Sequence, residues 1–292
     1  MRKATALVKY FRETRLFAGA DYFEGSIIPK HMPIDFVPGG KLPSRKKVEA
    51  TRPAQKTLND ENSRRYFRLL MIANFFVNTA LHITLTYNDM FLPAGYEDAE
   101  KRFSNFMRKV NANRKRRGQE TVRFLSVVQW GSENGRIHHH LIIENDGYLN
   151  EQSVRDMWSV GRGKNKQQLG FVDVQTIQDT FPGEHEGTAV EKLANYFTKD
   201  FGKFAKGNNK WSSSRGNLVK PEYQPKRDYK FSRAAVMRRL QEGTLEEYIR
   251  EMYPDYELLE FTRRDKELVN VDVRDNMFDG IHIYFRMRRI TT

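Results

Sequence analysis

An α+β chain built around an antiparallel sheet is the fold class this sequence predicts, and three observations predict it. Short runs that alternate apolar and polar residues, rich in β-branched side chains, recur between residues 81 and 177. Between them lie stretches whose apolar residues repeat at helical spacing. The turn separating two of the runs, GSENG at 131–135, is short enough for a hairpin, and only antiparallel strands can be joined that way.

Taken in order, residues 1–56 are basic and carry Pro29, Pro33, Pro38, Pro43 and Pro53 with a PGGK turn signal, so they read as an irregular N-terminal extension. A helix is expected over about 59–78, acidic at its start and apolar in its second half. LHITLTY (81–87) is a strand. In AEKRFSNFMRKVNANRK, Phe103, Phe106, Met107 and Val110 form one helical stripe. RFLSVVQW (123–130) is a strand and RIHHHLIIE (136–144) its hairpin partner. A helix over 150–160, a strand over 170–177 and a helix over 188–204 complete the core, assigned to 57–210. The order β-α-β-β-α-β is that of ferredoxin-like and RRM-like sheets, whose helices lie on one face. A small α/β C-terminal accessory region, 211–292, opens with a polar loop. Two short helices follow, the second with a capping box at Thr244 and Glu247. Its last strand alternates Ile281, Ile283, Phe285 and Met287 with His282, Tyr284, Arg286 and Arg288.

Hydrophobic residues make up 39% of the 292, which suits a packed core rather than wholesale disorder. The net charge of +13 calls for a polyanionic partner. No apolar run reaches the roughly 20 residues that span a bilayer, and the basic start lacks a secretory leader's apolar block, so nucleic acid is expected rather than membrane. With no cysteine, disulfides, thiolate metal sites and thiol nucleophiles are excluded, and a cytoplasmic location fits. P-loop and dinucleotide-binding glycine signatures are absent, as are internal repeats.

The chemistry is concentrated in two places. Along a strand His138 and His140 share a face, about 7 Å apart at Cα, close enough to chelate one ion, while His139 points to the opposite face with Ile137, Leu141 and Ile143. In TAVEKLANYFTKDFGKF, Val190, Leu193, Ala194, Phe197 and Phe201 form an apolar stripe, and Lys192, Tyr196, Lys199 and Lys203 cluster opposite. Cations around a phenol favour its ionised form and also hold a phosphate. Either pattern alone suits a structural histidine or a solvated lysine face; together, in a basic protein on this sheet, they are more specific.

A His-x-His strand followed by a Tyr-x-x-Lys helix resembles the HUH endonuclease superfamily, in particular the replication initiators of rolling-circle phages and plasmids. HITLTYND is similar to its first strand motif, GRIHHHLII to its HUH motif with His139 in the bulky middle position, and YFTKDFGK to its tyrosine helix. The likeness to the filamentous-phage type of replication protein extends over about 60–221, including ANF before the first strand and SSSRGNLVKP after the tyrosine helix. Two positions depart from the pattern. Asp200 stands where many relatives carry a second tyrosine, and Gln129 stands where a glutamate usually supplies the third ligand; Glu133 in the turn is the charged rival.

The resemblance implies metal-dependent nicking and joining of single-stranded DNA through a 5′-phosphotyrosine on Tyr196, with Lys199 and Lys203 steadying the phosphate. It implies His138, His140 and Gln129 around Mn2+ or Mg2+, an origin hairpin or nick site as substrate, and a host helicase and DNA polymerase as partners in a bacterial cytoplasm. The expected DNA contacts are Thr84, Thr86, Arg136 and Lys192, with Arg114, Lys115, Arg116 and Arg117 of NRKRRG as a phosphate-contacting loop or a solvated helix end. A single-tyrosine HUH transposase shares the chemistry. A non-catalytic RRM-like nucleic-acid-binding module is the rival of another class; it calls for exposed stacking aromatics on the central strands, where this sequence has histidines and threonines.

Overall fold

The structure, a computed structural model, describes residues 4–33, 52–131, 135–178, 188–203, 209–265, 271–272 and 281–290. In chain order these form β1 (Ala4–Ala18), β2 (Tyr22–Pro33), α1 (Arg52–Asn74), β3 (Ala80–Leu85) and α2 (Tyr96–Arg116). Next come β4 (Phe124–Trp130), β5 (Ile137–Glu144), α3 (Glu151–Met157), β6 (Ser159–Val160), β7 (Gln167–Gln168), β8 (Val172–Thr176) and α4 (Ala189–Thr198). β9 (Ser212–Ser213), β10 (Glu222–Asp228), α5 (Arg233–Glu242), α6 (Leu245–Met252), β11 (Tyr256–Asp265), β12 (Val271–Asp272) and β13 (Ile281–Arg289) complete the series. The class is α+β with antiparallel sheets. The chain divides into two compact units, 52–220 and 1–51 with 221–292.

In the unit 52–220 the sheet runs β8-β3-β5-β4-β9, with every neighbouring pair antiparallel. Side-chain alternation divides its apolar residues between two cores. Leu81, Ile83, Leu85, Val128, Leu141, Ile143 and Val172 pack with Phe103, Phe106, Met107 and Val110 of α2 and Val154 of α3. Leu125, Val127 and Ile142 pack with Phe67, Leu70 and Met71 of α1 and with Leu193, Ala194 and Phe197 of α4. Helices on a single face therefore describe α2 and α3 only; α1 and α4 cover the other face, and that is the face His138 and His140 share. Both expected helical stripes are buried, and each phenylalanine contributes about 1.5–3 kcal/mol by leaving water.

Three boundaries in this unit differ from the sequence reading. α1 begins at Arg52 rather than near 59, because Pro53 lies in its first turn, where a backbone N–H has no helical partner to lose. It ends at Asn74, shortly before Asn78 at φ 61. α4 starts where Thr188 and Glu191 cap each other reciprocally, but ends at Thr198 and passes into a 3-10 turn over Phe201–Lys203.

The other unit replaces the expected irregular extension with a long hairpin. β1 and β2 pair from Ala6↔Pro33 to Ala18↔Tyr22 and turn at Gly19, φ 68. Prolines argue against strands when the sequence is read alone. β2, however, pairs with β13 only over Tyr22 to Ile27, so Pro29 and Pro33 lie beyond it, where no second ladder needs their N–H. Pro38 and Pro43 fall outside the described residues. The sheet order β10-β1-β2-β13-β11 places segments from both chain ends in one sheet, and β12 pairs with β1. The apolar side of the last strand, Ile281, Ile283, Phe285 and Met287, is buried with Phe23, Ile27 and residues of α5 and α6. Gly25 is required opposite Phe285, since a Cβ there would lie 2.2 Å from the ring. The expected capping box of α6 does not form: Thr244 makes no side-chain cap. Its N–H instead closes α5 by donating to Arg239 O at 2.9 Å, past left-handed Gly243, which takes Thr244 out of the extended conformation a cap needs.

Candidate metal and tyrosine site

Cross-strand register assembles the site. Gln129 of β4 lies directly opposite His138 of β5, and Thr84 of β3 opposite His140. Alternation then sets His138, His140, Gln129, Thr84 and His82 on the α4 side of the sheet. His139 goes to the other side, fully buried, with its ring stacked on Phe103 (centroids 5.0 Å apart) and Nε2 2.8 Å from Tyr87 Oη. A histidine there fills a core and meets a polar partner, as its strand position predicts.

Tyr196 projects from α4 onto His140. Its hydroxyl is 3.3 Å from His140 Nε2 and the rings meet edge to face at 5.0 Å, while the side chain stays 42% exposed, accessible to a large substrate. Lys199 Nζ stands 4.2 Å from the centre of the tyrosine ring. On its far side, His140 Nδ1 is 3.1 Å from His82 Nε2 and 3.3 Å from Thr84 Oγ1. A phenol that donates to Nε2 requires His140 to carry its proton on Nδ1, where His82 Nε2 accepts it. His138 Nδ1 donates to Arg136 O at 3.1 Å, leaving Nε2 as its other nitrogen. Burial lowers the pKa of His138, and that of His82 to about 4; His140 is lowered by burial first and then by His82, His138 and Lys199. Neutral imidazoles are the form that binds a cation.

Residues 80–205 match a family model of replication-associated proteins, the ORF2 type. No curated protein and no solved structure matches the chain. The matched segment begins at the first residue of β3 and ends just past the turn that follows α4, so it holds every side chain described above. This match to replication-associated proteins supports a role in replication, and hence in DNA binding, for the unit that contains it. No described helix is long and apolar enough to cross a membrane.

Among the described residues no three His, Cys, Asp or Glu side chains converge as a metal site, so a third ligand beside His138 and His140 must be of another kind. Gln129 fits. It is fully buried, its Nε2 donates to Tyr196 O and Phe197 O at 3.0 Å each, and its Oε1 is buried without a hydrogen-bond partner. Two carbonyl oxygens can only be met by the amide NH2, which fixes the orientation of Oε1. An orphaned acceptor across from His138 suits a hard cation, which takes oxygen ligands. Glu133, the charged rival, lies outside the described residues.

The remaining expected site residues divide between the site and the scaffold. Lys203 is bound to Asp200 at 2.7 Å; Asp200 is buried, and its second oxygen has no partner. Thr86 Oγ1 is engaged by the backbone of Phe171. Arg136 shares the histidine face but is anchored to Asp89 and to Tyr87 O. Lys192 lies on α4 one turn before Tyr196. The NRKRRG loop is corrected: Arg114, Lys115 and Arg116 form the last turn of α2, on the sheet face away from α4. Arg114 is buried and bonded to Asp146 at 2.9 Å and to Glu120 O at 2.7 Å; Arg117 bonds to the same Asp146 and lies over the Tyr148 ring. These two arginines close the helix end, because Asp146 is a buried carboxylate that needs them. Lys115 and Arg116 are exposed there. His82, which holds His140, carries no signal in the sequence beyond sharing the face of Thr84.

Proposed function

We propose that this protein is a metal-dependent, site-specific nickase and ligase of single-stranded DNA, of the single-tyrosine HUH kind, that starts rolling-circle replication of a phage or plasmid. The observation that carries the reading is the exposed Tyr196 hydroxyl held 3.3 Å from His140 Nε2 with the Lys199 cation beside its ring. A Mn2+ or Mg2+ ion held by His138, His140 and Gln129 would polarise the scissile phosphate. Tyr196 Oη bonds to phosphorus as the bond from phosphorus to the 3′ oxygen breaks. The phenolic proton is released and the departing 3′ oxygen takes one up, so a 3′-hydroxyl is free to prime synthesis. Attack by a later 3′-hydroxyl on the phosphotyrosine reverses the step and rejoins the strand without nucleotide triphosphate. Lys199 offsets charge on the transferred phosphoryl group, and Gln129 ties the C-terminal turn of α4 to β4, which keeps Tyr196 over the histidines.

The test is an adduct assay. With Mn2+ and labelled single-stranded DNA of the parent replicon, the native protein should give a covalent product on denaturing gels. Tyr196→Phe should bind the DNA equally and give none. An adduct that persists in Tyr196→Phe would refute the assignment.

A further inference from the structure

The edge of the site beyond β3 carries an exposed aromatic side chain that the chemistry above does not use. Phe171, at the start of β8, is 65% exposed. Val172 and Val174 pack on the α2 side of the sheet, and Ile177 packs on the α4 side. Alternation therefore turns Phe171 and Asp173 to the α4 face, the face of His138, His140 and Tyr196. Phe171 lies beside Thr86, two strand spacings or about 10 Å across the sheet from the strand of His138.

The backbone at Phe171 is held firmly. Thr86 N donates to Phe171 O at 3.0 Å, and Phe171 N donates to Thr86 Oγ1 at 3.0 Å. Gly170 allows this closeness, since a Cβ there would lie 2.2 Å from Thr86 O and 2.6 Å from Tyr87 Cα. The hydroxyl expected to meet DNA is instead spent on fixing a large apolar ring in water, which folding alone does not favour.

Charge indicates what the ring receives. β8 has no cation, and Asp173 and Gln175 on its site side bond to each other at 2.8 Å. The cations, Lys192 and Lys199, belong to α4 and its C-terminal cap. A polyanionic strand crossing the site would keep its phosphates toward α4 and turn its bases toward β8. We infer that Phe171 is a stacking platform for a nucleobase beside the scissile phosphate, with Thr86 and Gly170 as its mount. The inference rests on the DNA reading above.

Fluorescence anisotropy with a labelled single-stranded oligo(dT) tests it. Phe171→Ala should weaken binding by about 5- to 150-fold, the range for losing one stacked base. Phe171→Trp should bind at least as tightly as the native protein, and Phe171→Leu, apolar without a π-face, should resemble Phe171→Ala. The salt dependence should keep its slope in all three, because no phosphate contact is lost. Native affinity in Phe171→Ala, full rescue by Phe171→Leu, or a slope lowered by about one phosphate would each overturn the inference. Where the native protein forms the Tyr196 adduct and Phe171→Ala still binds normally, this inference alone fails. Where the native protein neither binds oligo(dT) nor forms an adduct, the DNA reading fails and the platform falls with it.

Discussion

Gln129 is the residue at which the sheet, the tyrosine helix and the expected metal meet, and changing it to glutamate separates their contributions. The native amide donates twice, to Tyr196 O and Phe197 O. Gln129→Leu keeps the volume and removes both bonds, which should cost about 2–3 kcal/mol at about 1–1.5 each. Gln129→Glu removes them too and places a carboxylate against two carbonyl oxygens in a fully buried position. Its folded pKa should then lie above the unfolded value of about 4.3, each unit of difference costing about 1.4 kcal/mol once the group ionises. A raised folded pKa means that stability is retained below about pH 4.3 and lost as pH rises toward the folded value. Urea denaturation in EDTA, so that no ion offsets the charge, should show Gln129→Glu falling further behind the native protein between pH 5 and 7, and Gln129→Leu trailing by a constant amount. Gln129→Glu within about 0.5 kcal/mol of the native protein at pH 7 would show that the amide does not hold α4, and the account of how Tyr196 is positioned would fail with it.

Three further outcomes are expected. His138→Ala and His140→Ala should each abolish Mn2+-dependent cleavage and weaken Mn2+ binding by calorimetry, whereas His139→Gln should retain both; loss of Mn2+ binding in His139→Gln alone would reverse the face assignment. Burial lowers the pKa of His139 to about 3, so the unfolded chain binds the extra proton first and stability falls as pH drops below about 6.5; between pH 7.5 and 5.5 the native protein should lose about 1.4 kcal/mol more than His139→Gln in urea melts, and parallel curves would contradict this. Affinity for single-stranded DNA should fall steeply with salt as phosphate neutralisation releases counterions, and a flat dependence would assign the +13 charge to another partner.

What can be read from the sequence follows from local period. The strand phase that separates His139 from His138 and His140, and the helical phase that opposes Tyr196 to Phe197, depend only on the pitch of each element, so both are visible in one short stretch. His82 and Phe171 are not visible there, because their roles depend on which strand lies beside which. His82 matters only because β3 pairs with β5 in a register that brings its Nε2 to His140 Nδ1, and Phe171 only because β8 pairs with β3 from the other side. Arg114 misleads for the opposite reason: a basic run looks solvated until Asp146, 32 residues away, is known to be buried beneath it.

The same distinction explains the N-terminal hairpin. Proline counts against a strand because it cannot donate to a ladder, but that objection holds only where a ladder exists on the side its N–H faces. β13 reaches along β2 only as far as Ile27, so Pro29 and Pro33 cost little, yet β13 is contributed by the far end of the chain. No window of sequence around residue 29 contains that fact. The apolar alternation of Ile281, Ile283, Phe285 and Met287 is legible as a strand with one buried side, but not its position: it lies between β2 and β11, where Gly25 leaves room for Phe285. A glycine in the middle of a strand is the available clue, since it gives up side-chain packing and conformational entropy unless another group needs the space.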